Sequence, residues 1–417
     1  MPTWEMVAGE PTGQGLGNTT ATSAIGGDRG QSSTVLEARQ QAKVYASYTW
    51  TNLYVRCNGF VAPVTPPVTS RIGAVNGNLL VTLTGTGVFE DTINSDSLVD
   101  QNLINYREDN SGGGGTKTCT IFGSTLADTS TNITIAICAG PEGGSVAFGL
   151  TRFAVIEGAL KAAGGTFNAT ESQVQYTLRR ATTYSNLRFL LYSNGMDANT
   201  TWRTRVDAAD GSQLLTISGG ATGAFEDTTN SDVVAAASEV AYEIDTTLST
   251  IGTLFSTLSQ MKHTSTGREM AAAASGAVAA TVDQYLVAEG NLDDTVTEAD
   301  TQIAARAAFT AKNLMVNITA HGATASDFFL RRNTANSALT VNIPSSSTGL
   351  FEDTTNQVSM ALTDAYNYFL DVGGSITYAI VGMEQEPSSG GGRGYPGQMH
   401  NRRPRAGRLG QGFRVPR

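Results

Sequence analysis

The sequence predicts an all-β protein: three tandem antiparallel β-sandwich domains of jelly-roll-like form, followed by an extended Arg/Gly-rich C-terminal arm. Three observations carry that expectation. The string T-G-x-F-E-D-T-x-N occurs three times, with Phe89, Phe225 and Phe351 as its markers. The flanks of the three copies hold a common register, which is the signature of tandem units. Hydrophobic residues make up 40% of the 417-residue chain and charged residues only 15%, so cores can form while Thr, Ser, Asn and Gly carry the surface.

Each copy reads in the same order. An Asn-Leu pair opens an alternating stretch: NLYVRC from Asn52, NLRFLL from Asn186 and NLMVNI from Asn313. Its β-branched and aromatic residues, bounded by Gly, Asn, Asp and Ser, favour a short strand. Arg71, Arg205 and Arg332 come next, with the apolar runs LLVTL, QLLTI and LTVNI. The marker Phe reads as a core anchor, its Gly free to take positive φ, its Asp and Asn able to close a turn on nearby backbone. On that reading Phe225→Ala should cost about 3–5 kcal/mol, as for a buried aromatic. Tyr106, Tyr242 and Tyr368 each fall 17 residues after the Phe and read as repeat anchors, half-buried with the hydroxyl at the rim. WEMVAGE near Trp4, FAVIEGAL at Phe153 and YLVAEGNL at Tyr285 read as matching domain openings. No helical crossover pattern intervenes, so the sandwich is of jelly-roll or immunoglobulin-like kind, and copy length favours the jelly roll.

The register places domains at 1–144, 145–276 and 277–387, with a tail at 388–417. CAGPEGG breaks the strand pattern at the first boundary. MAAAASGAVAA marks the second, where the alanines suit a short helix as well as a strand or linker. The tail holds Arg393, Arg402, Arg403, Arg405, Arg408, Arg414 and Arg417 and no acid. Removing those seven charges from the formal −10 leaves −17 on residues 1–387. An acidic body with a basic arm points to docking of the arm on an acidic neighbouring subunit. Nucleic acid fits less well, because the acidic domains would repel phosphate. A solvated tail without a specific partner is the third reading.

No run of apolar residues is long enough for a membrane helix, and the N-terminus lacks the basic and apolar regions of a secretory signal. Synthesis in a cytoplasm is expected. Cys57, Cys119 and Cys138 lack zinc spacing and read as small buried residues in strands. His263, His321 and His400 sit in no catalytic pattern, and no P-loop, H-E-x-x-H or G-x-S-x-G occurs. The remaining candidates for chemistry are the acidic pairs Glu90–Asp91, Glu226–Asp227 and Glu352–Asp353. With Asn94, Asn230 or Asn356 they could hold calcium, or they could work as acid and base on a glycan. Adjacent residues on an extended chain face opposite ways, and tandem duplication multiplies turns, so a structural turn is preferred. No catalytic residue and no cofactor is expected. Trp4, Trp50 and Trp202 do not align between copies, so they form no repeated sugar-stacking platform.

Asn-Leu opening a strand, then T-G-x-F-E-D-T-x-N, then a closing strand such as SITYAIVGMEQE resemble β-sandwich modules in virion proteins of tailed bacteriophages. Decoration or cement proteins and fibre or spike modules share this style. The resemblance spans all three domains and carries over no functional residue. It implies a virion structural protein, most simply a capsid decoration protein that binds and stabilises the head through domain surfaces and the arm. A tail or fibre component binding host surface glycans is the alternative, and a glycan-active enzyme the third reading. Capsid proteins and further copies of the chain are the expected partners; a trimer is one option, three domains in one chain replacing three subunits the other.

Overall fold

The computed structural model describes residues 3–16, 20–26, 37–61, 65–111, 117–128, 132–159, 167–291 and 295–387. The arm and its seven arginines lie outside the described residues.

The chain forms three sets of eight principal strands. The first runs Thr3–Leu16, Thr20–Ser23, Tyr48–Phe60, Pro67–Ile72, Val75–Thr82, Gly87–Leu98, Leu103–Asp109 and Lys117–Asp128. The second runs Ile133–Ala147, Thr151–Ala154, Thr182–Asn194, Thr200–Val206, Ala209–Ile217, Gly223–Val234, Glu239–Asp245 and Thr253–Thr264. The third runs Arg268–Ala280, Gln284–Leu286, Phe309–His321, Ser326–Arg332, Ala335–Ile343, Gly349–Met360, Ala365–Asp371 and Ile376–Pro387. In every set one sheet has the order first, eighth, third, sixth, and the other the order second, seventh, fourth, fifth. This nesting of antiparallel strands in two facing sheets is the jelly roll. The all-β expectation and the choice of topology both hold.

Pairing moves the expected boundaries. Residues 133–144 pair forward with Thr253–Thr264, so they open the second sandwich instead of closing the first. CAGPEGG is not a break; it lies within one strand, at a register shift between Ala139 and Gly144. MAAAASGAVAA is likewise the first strand of the third sandwich, paired with Ile376–Pro387. Its alanines have high helix propensity, but a small side chain is what lets this strand lie close to its neighbours, and packing overrides propensity. A Cβ on Gly158 would meet the backbone of Ala273, which shows how near the two segments come. The domain openings also need correction. WEMVAGE sits on a first strand, whereas FAVIEG and YLVAEG begin on the last residues of second strands and run on past them; the counterpart in the first copy is SAIG, residues 23–26.

What the repeat preserves is a pair of bulges. Asn52, Asn186 and Asn313 take φ of 57°, 56° and 53° in the middle of the third strand, where Asn tolerates the left-handed region. The register with the sixth strand jumps there from Thr51↔Ser95 to Leu53↔Asp91, and in the same way in the other copies. The Asn-Leu pair is therefore a bulge within a strand, not its start. The aligned arginine of the third copy is Arg331, one residue before the expected Arg332. Arg71, Arg205 and Arg331 each make a two-nitrogen bond to the glutamate of a short 3₁₀ turn: Glu37, Glu171 and Glu298. Arg332 instead pairs with Asp364.

Phe89, Phe225 and Phe351 are not fully buried anchors. They are half-buried against the cores, because the sixth strand is a sheet edge and leaves one flank of the ring open. Tyr106, Tyr242 and Tyr368 are buried more deeply than expected, each at 0% exposure. Their hydroxyls stay inside, Tyr106 Oη bonding Ser124 Oγ at 2.7 Å and Tyr368 Oη donating to the Met270 carbonyl at 3.1 Å. Cys57, Cys119 and Cys138 are buried in strands, as expected.

The three cores form a closed ring. The first core includes Ile135, Ile137, Ala139, Leu190 and Leu258 from the back of the second sandwich's first sheet. The second includes Ala271, Ala273, Met315, Ala379 and Ile380 from the third. The third includes Val7, Tyr54 and Ile121 from the first. Each of these sheets is thus covered on both faces, which is why their eighth strands are buried almost throughout. The arrangement is head-to-tail and closes after three steps, like a cyclic trimer built from one chain.

Candidate functional site

The acidic pairs divide between two structural tasks. Asp91, Asp227 and Asp353 turn inward and clamp the sixth-strand bulge. Asp227 Oδ1 accepts from the Thr229 and Asn230 N–H groups at 3.1 Å each, and Oδ2 from the Asn230 amide at 2.9 Å. Oδ2 also accepts the Leu214 N–H of the fifth strand at 3.0 Å, tying the edge strands of the two sheets together. Asp91 and Asp353 make the same set with Leu80 and Thr340. Their oxygens are filled by N–H donors and, in the second and third copies, by the Thr229 and Thr355 hydroxyls; the motif is thus a clamped bulge inside a strand, not the turn expected.

Burial alone would raise the Asp227 pKa. The Asn230 amide and the Leu214, Asn230 and Thr229 N–H groups outweigh it and hold the carboxyl well below the usual carboxylate range. A depressed folded-state pKa contributes stability that is complete above the ordinary aspartate value and lost as pH falls through the folded one. Asp227→Ala should cost about 1–3 kcal/mol at neutral pH by stranding these donors. Urea titrations of both proteins should show that gap closing as pH is lowered below the ordinary aspartate range; a constant gap would count against the clamp.

Glu90, Glu226 and Glu352 turn the other way, toward the adjacent sandwich. Glu226 meets Lys43 Nζ of the first sandwich at 2.7 Å, Glu352 meets Arg179 of the second, and Glu90 meets Arg306 of the third at 2.7 and 2.8 Å. One repeated glutamate therefore makes one ion pair at every step of the ring. The two carboxylates of a pair face apart and do not converge on one cation, as a calcium site would need. Among the described residues no group of three or more His, Cys, Asp or Glu is placed to hold a metal ion.

Further contacts follow the same cyclic pattern. Arg188 donates to the Gln41 carbonyl at 3.0 Å, and Tyr54, at the matching position, donates to the Gln302 carbonyl at 3.3 Å. Gln260 bonds the Lys43 backbone N–H and carbonyl at 2.9 Å each. The Arg306 guanidinium also lies over the Tyr54 ring, 4.6 Å from its centre. None of these cations was singled out in the sequence. A signal existed for two of them: Arg179 and Arg306 both stand seven residues before the Asn of the Asn-Leu pair, where the first copy has Tyr45.

The third copy departs from the others at one place. Asp96 and Asp232 bond Ser70 and Thr204, both at 2.5 Å, beside Gly77 and Gly211, where a Cβ would collide with the same oxygens. The third copy has Val358, Leu330 and Ser337 at these positions, so apolar contact replaces the buried polar pair and a side chain returns at the glycine. Trp4, Trp50 and Trp202 are all fully buried and present no surface for stacking a sugar.

No family model matches the chain, and no curated protein matches it. Among solved structures, the protein of "the triple jelly roll fold and turret assembly in an archaeal virus" is similar at 11% identity and a TM-score of 0.21, with 82% of this chain and 79% of that one covered. The insecticidal delta-endotoxin Cry8Ea1 from Bacillus thuringiensis matches at 7% identity and a TM-score of 0.20, over 60% of this chain and 59% of that one. Dimeric latent PorU from Porphyromonas gingivalis matches at 10% and 0.21, over 81% of this chain and 33% of that one. Likenesses at this level carry no argument, and the jelly-roll assignment stands on the strand order alone.

Proposed function

We propose that this chain is a virion structural protein, a capsid-associated decoration protein of a tailed bacteriophage, acting as a one-chain counterpart of a trimer. The observation that supports this most is the closed ring of three jelly rolls, in which the Phe, Glu, Asp and Asn of the repeated motif serve packing, a bulge clamp or an inter-unit ion pair. A scaffold of this kind offers three similar outward faces to neighbours. Binding and assembly, not catalysis, is the task it suits. The basic arm would add an electrostatic anchor to an acidic shell.

Co-sedimentation with undecorated heads from the same source tests this. The full chain is expected to bind stoichiometrically, and a chain lacking Ser388–Arg417 to fold normally but bind more weakly. Absence of binding by the full chain would overturn the head assignment. Equal binding by both chains would remove the arm from the mechanism.

A further inference from the structure

Inside one end of the first sandwich lies a buried Glu–Asn–Lys group that the packing scheme does not require. Lys117 and Asn110 are 0% exposed and Glu108 is 2% exposed. Lys117 Nζ donates to Asn110 Oδ1. The Phe60 ring centre lies 5.7 Å from the same nitrogen. Burial drives the Lys117 pKa down, toward the uncharged amine, against the opposing pull of the Glu108 carboxylate.

The other two sandwiches show what this end of the core needs. Strand register aligns Glu108 with Ile244 and Leu370, and Lys117 with Leu254 and Ile376. Asn110 aligns with Thr246 and Val372. Ile244, Leu254, Leu370 and Ile376 are all buried and fill the space with apolar side chains. At the Glu108 and Lys117 positions apolar packing suffices twice in the same chain, and a buried charged pair seldom out-stabilises it. An amine, a carboxamide and a carboxyl held together away from water are instead the components of an acyl transfer.

We propose that Lys117 and Asn110 of the first sandwich join spontaneously through an isopeptide bond, with Glu108 carrying the proton. The neutral Lys117 Nζ attacks Asn110 Cγ, and the carbonyl electron pair moves onto Oδ1. Glu108 takes one proton from Nζ and delivers it to Asn110 Nδ2. The carbonyl re-forms, the Cγ–Nδ2 bond breaks, and ammonia leaves. One amine and one amide give one amide and one ammonia; nothing is oxidised, and Glu108 ends as it began. The product ties the end of the seventh strand to the start of the eighth, across the mouth of one sandwich only.

Intact mass spectrometry of the purified full-length chain reads this directly. The expected mass is that of the sequence less one ammonia, and trypsin should fail to cut after Lys117. Glu108→Ala and Lys117→Met should both restore the sequence mass. Lys117→Arg separates this from cyclisation of an asparagine elsewhere: the ammonia loss should vanish, whereas retention of the loss would overturn the assignment. A wild-type chain at its full sequence mass, cut normally after Lys117, would also overturn it, and that result needs no variant to fold.

Discussion

Replacing Trp202 with alanine should lower the stability of the second sandwich by about 3–5 kcal/mol, the range for deleting a fully buried large aromatic. The ring is at 0% exposure and stacks on Phe189 at 4.1 Å between centroids and 14° between planes. Phe167 meets it edge-on at 5.8 Å and Tyr242 lies tilted at 5.2 Å. Its indole N–H donates to Ser259 Oγ at 3.1 Å, so the substitution also strands a buried hydroxyl. Phe225→Ala should cost only about 1–2 kcal/mol, because a half-buried ring removes less area from water. Denaturant unfolding followed by tryptophan-independent circular dichroism checks both. Equal losses at the two positions would mean that the edge-strand phenylalanine is the true anchor.

Arg268→Met should cost a comparable amount, about 3–5 kcal/mol at neutral pH, by leaving a buried carboxylate without its cation. Arg268 is 1% exposed and bonds Glu289, itself 1% exposed, through both terminal nitrogens, one at 2.9 Å. It also donates to the Glu5 carbonyl, which joins the third sandwich to the first. The Glu5 carboxylate in turn accepts from Tyr366 Oη at 2.5 Å and from the Ala307 N–H at 3.1 Å. Burial raises the Glu289 pKa, and the Arg268 charge opposes it. A raised folded-state pKa gives a contribution present below the ordinary glutamate value and lost as pH rises through the folded one. Without Arg268 the folded value climbs further, so the gap between variant and wild type should widen with rising pH and narrow in acid. A gap that widens in acid would sink this account. His263 of the second sandwich is pushed down to about 3, first by burial and then by Arg268, so it stays uncharged at neutral pH.

The repeat was legible because local chemistry recurs wherever the same backbone must recur. Asn at a left-handed bulge, Asp clamping N–H groups and Tyr at a fixed later position are short-range demands, and each left a residue in register. The opposite orientations of Glu90 and Asp91 followed from strand geometry alone. The boundaries were misread for the same reason. A strand interrupted by a bulge looks like two segments, and an alanine run carries no mark of the sheet it will join. Phe89 and its counterparts were overrated because sequence shows a residue's apolarity but not whether its strand is central or at an edge.

The sequence by itself determined the fold class, the threefold repetition, the backbone-bonding role of the motif's Asp and Asn and the contrast between an acidic body and a basic arm. Only the tertiary structure decided that the three units close a ring, that the repeated glutamates pair with Lys43, Arg179 and Arg306, and that Glu108, Asn110 and Lys117 meet. Those partners stand far apart in the chain or differ in type from copy to copy. Periodicity reports the demands of one strand on its immediate neighbours, whereas contacts between units depend on how whole sheets are oriented, and no local pattern encodes that.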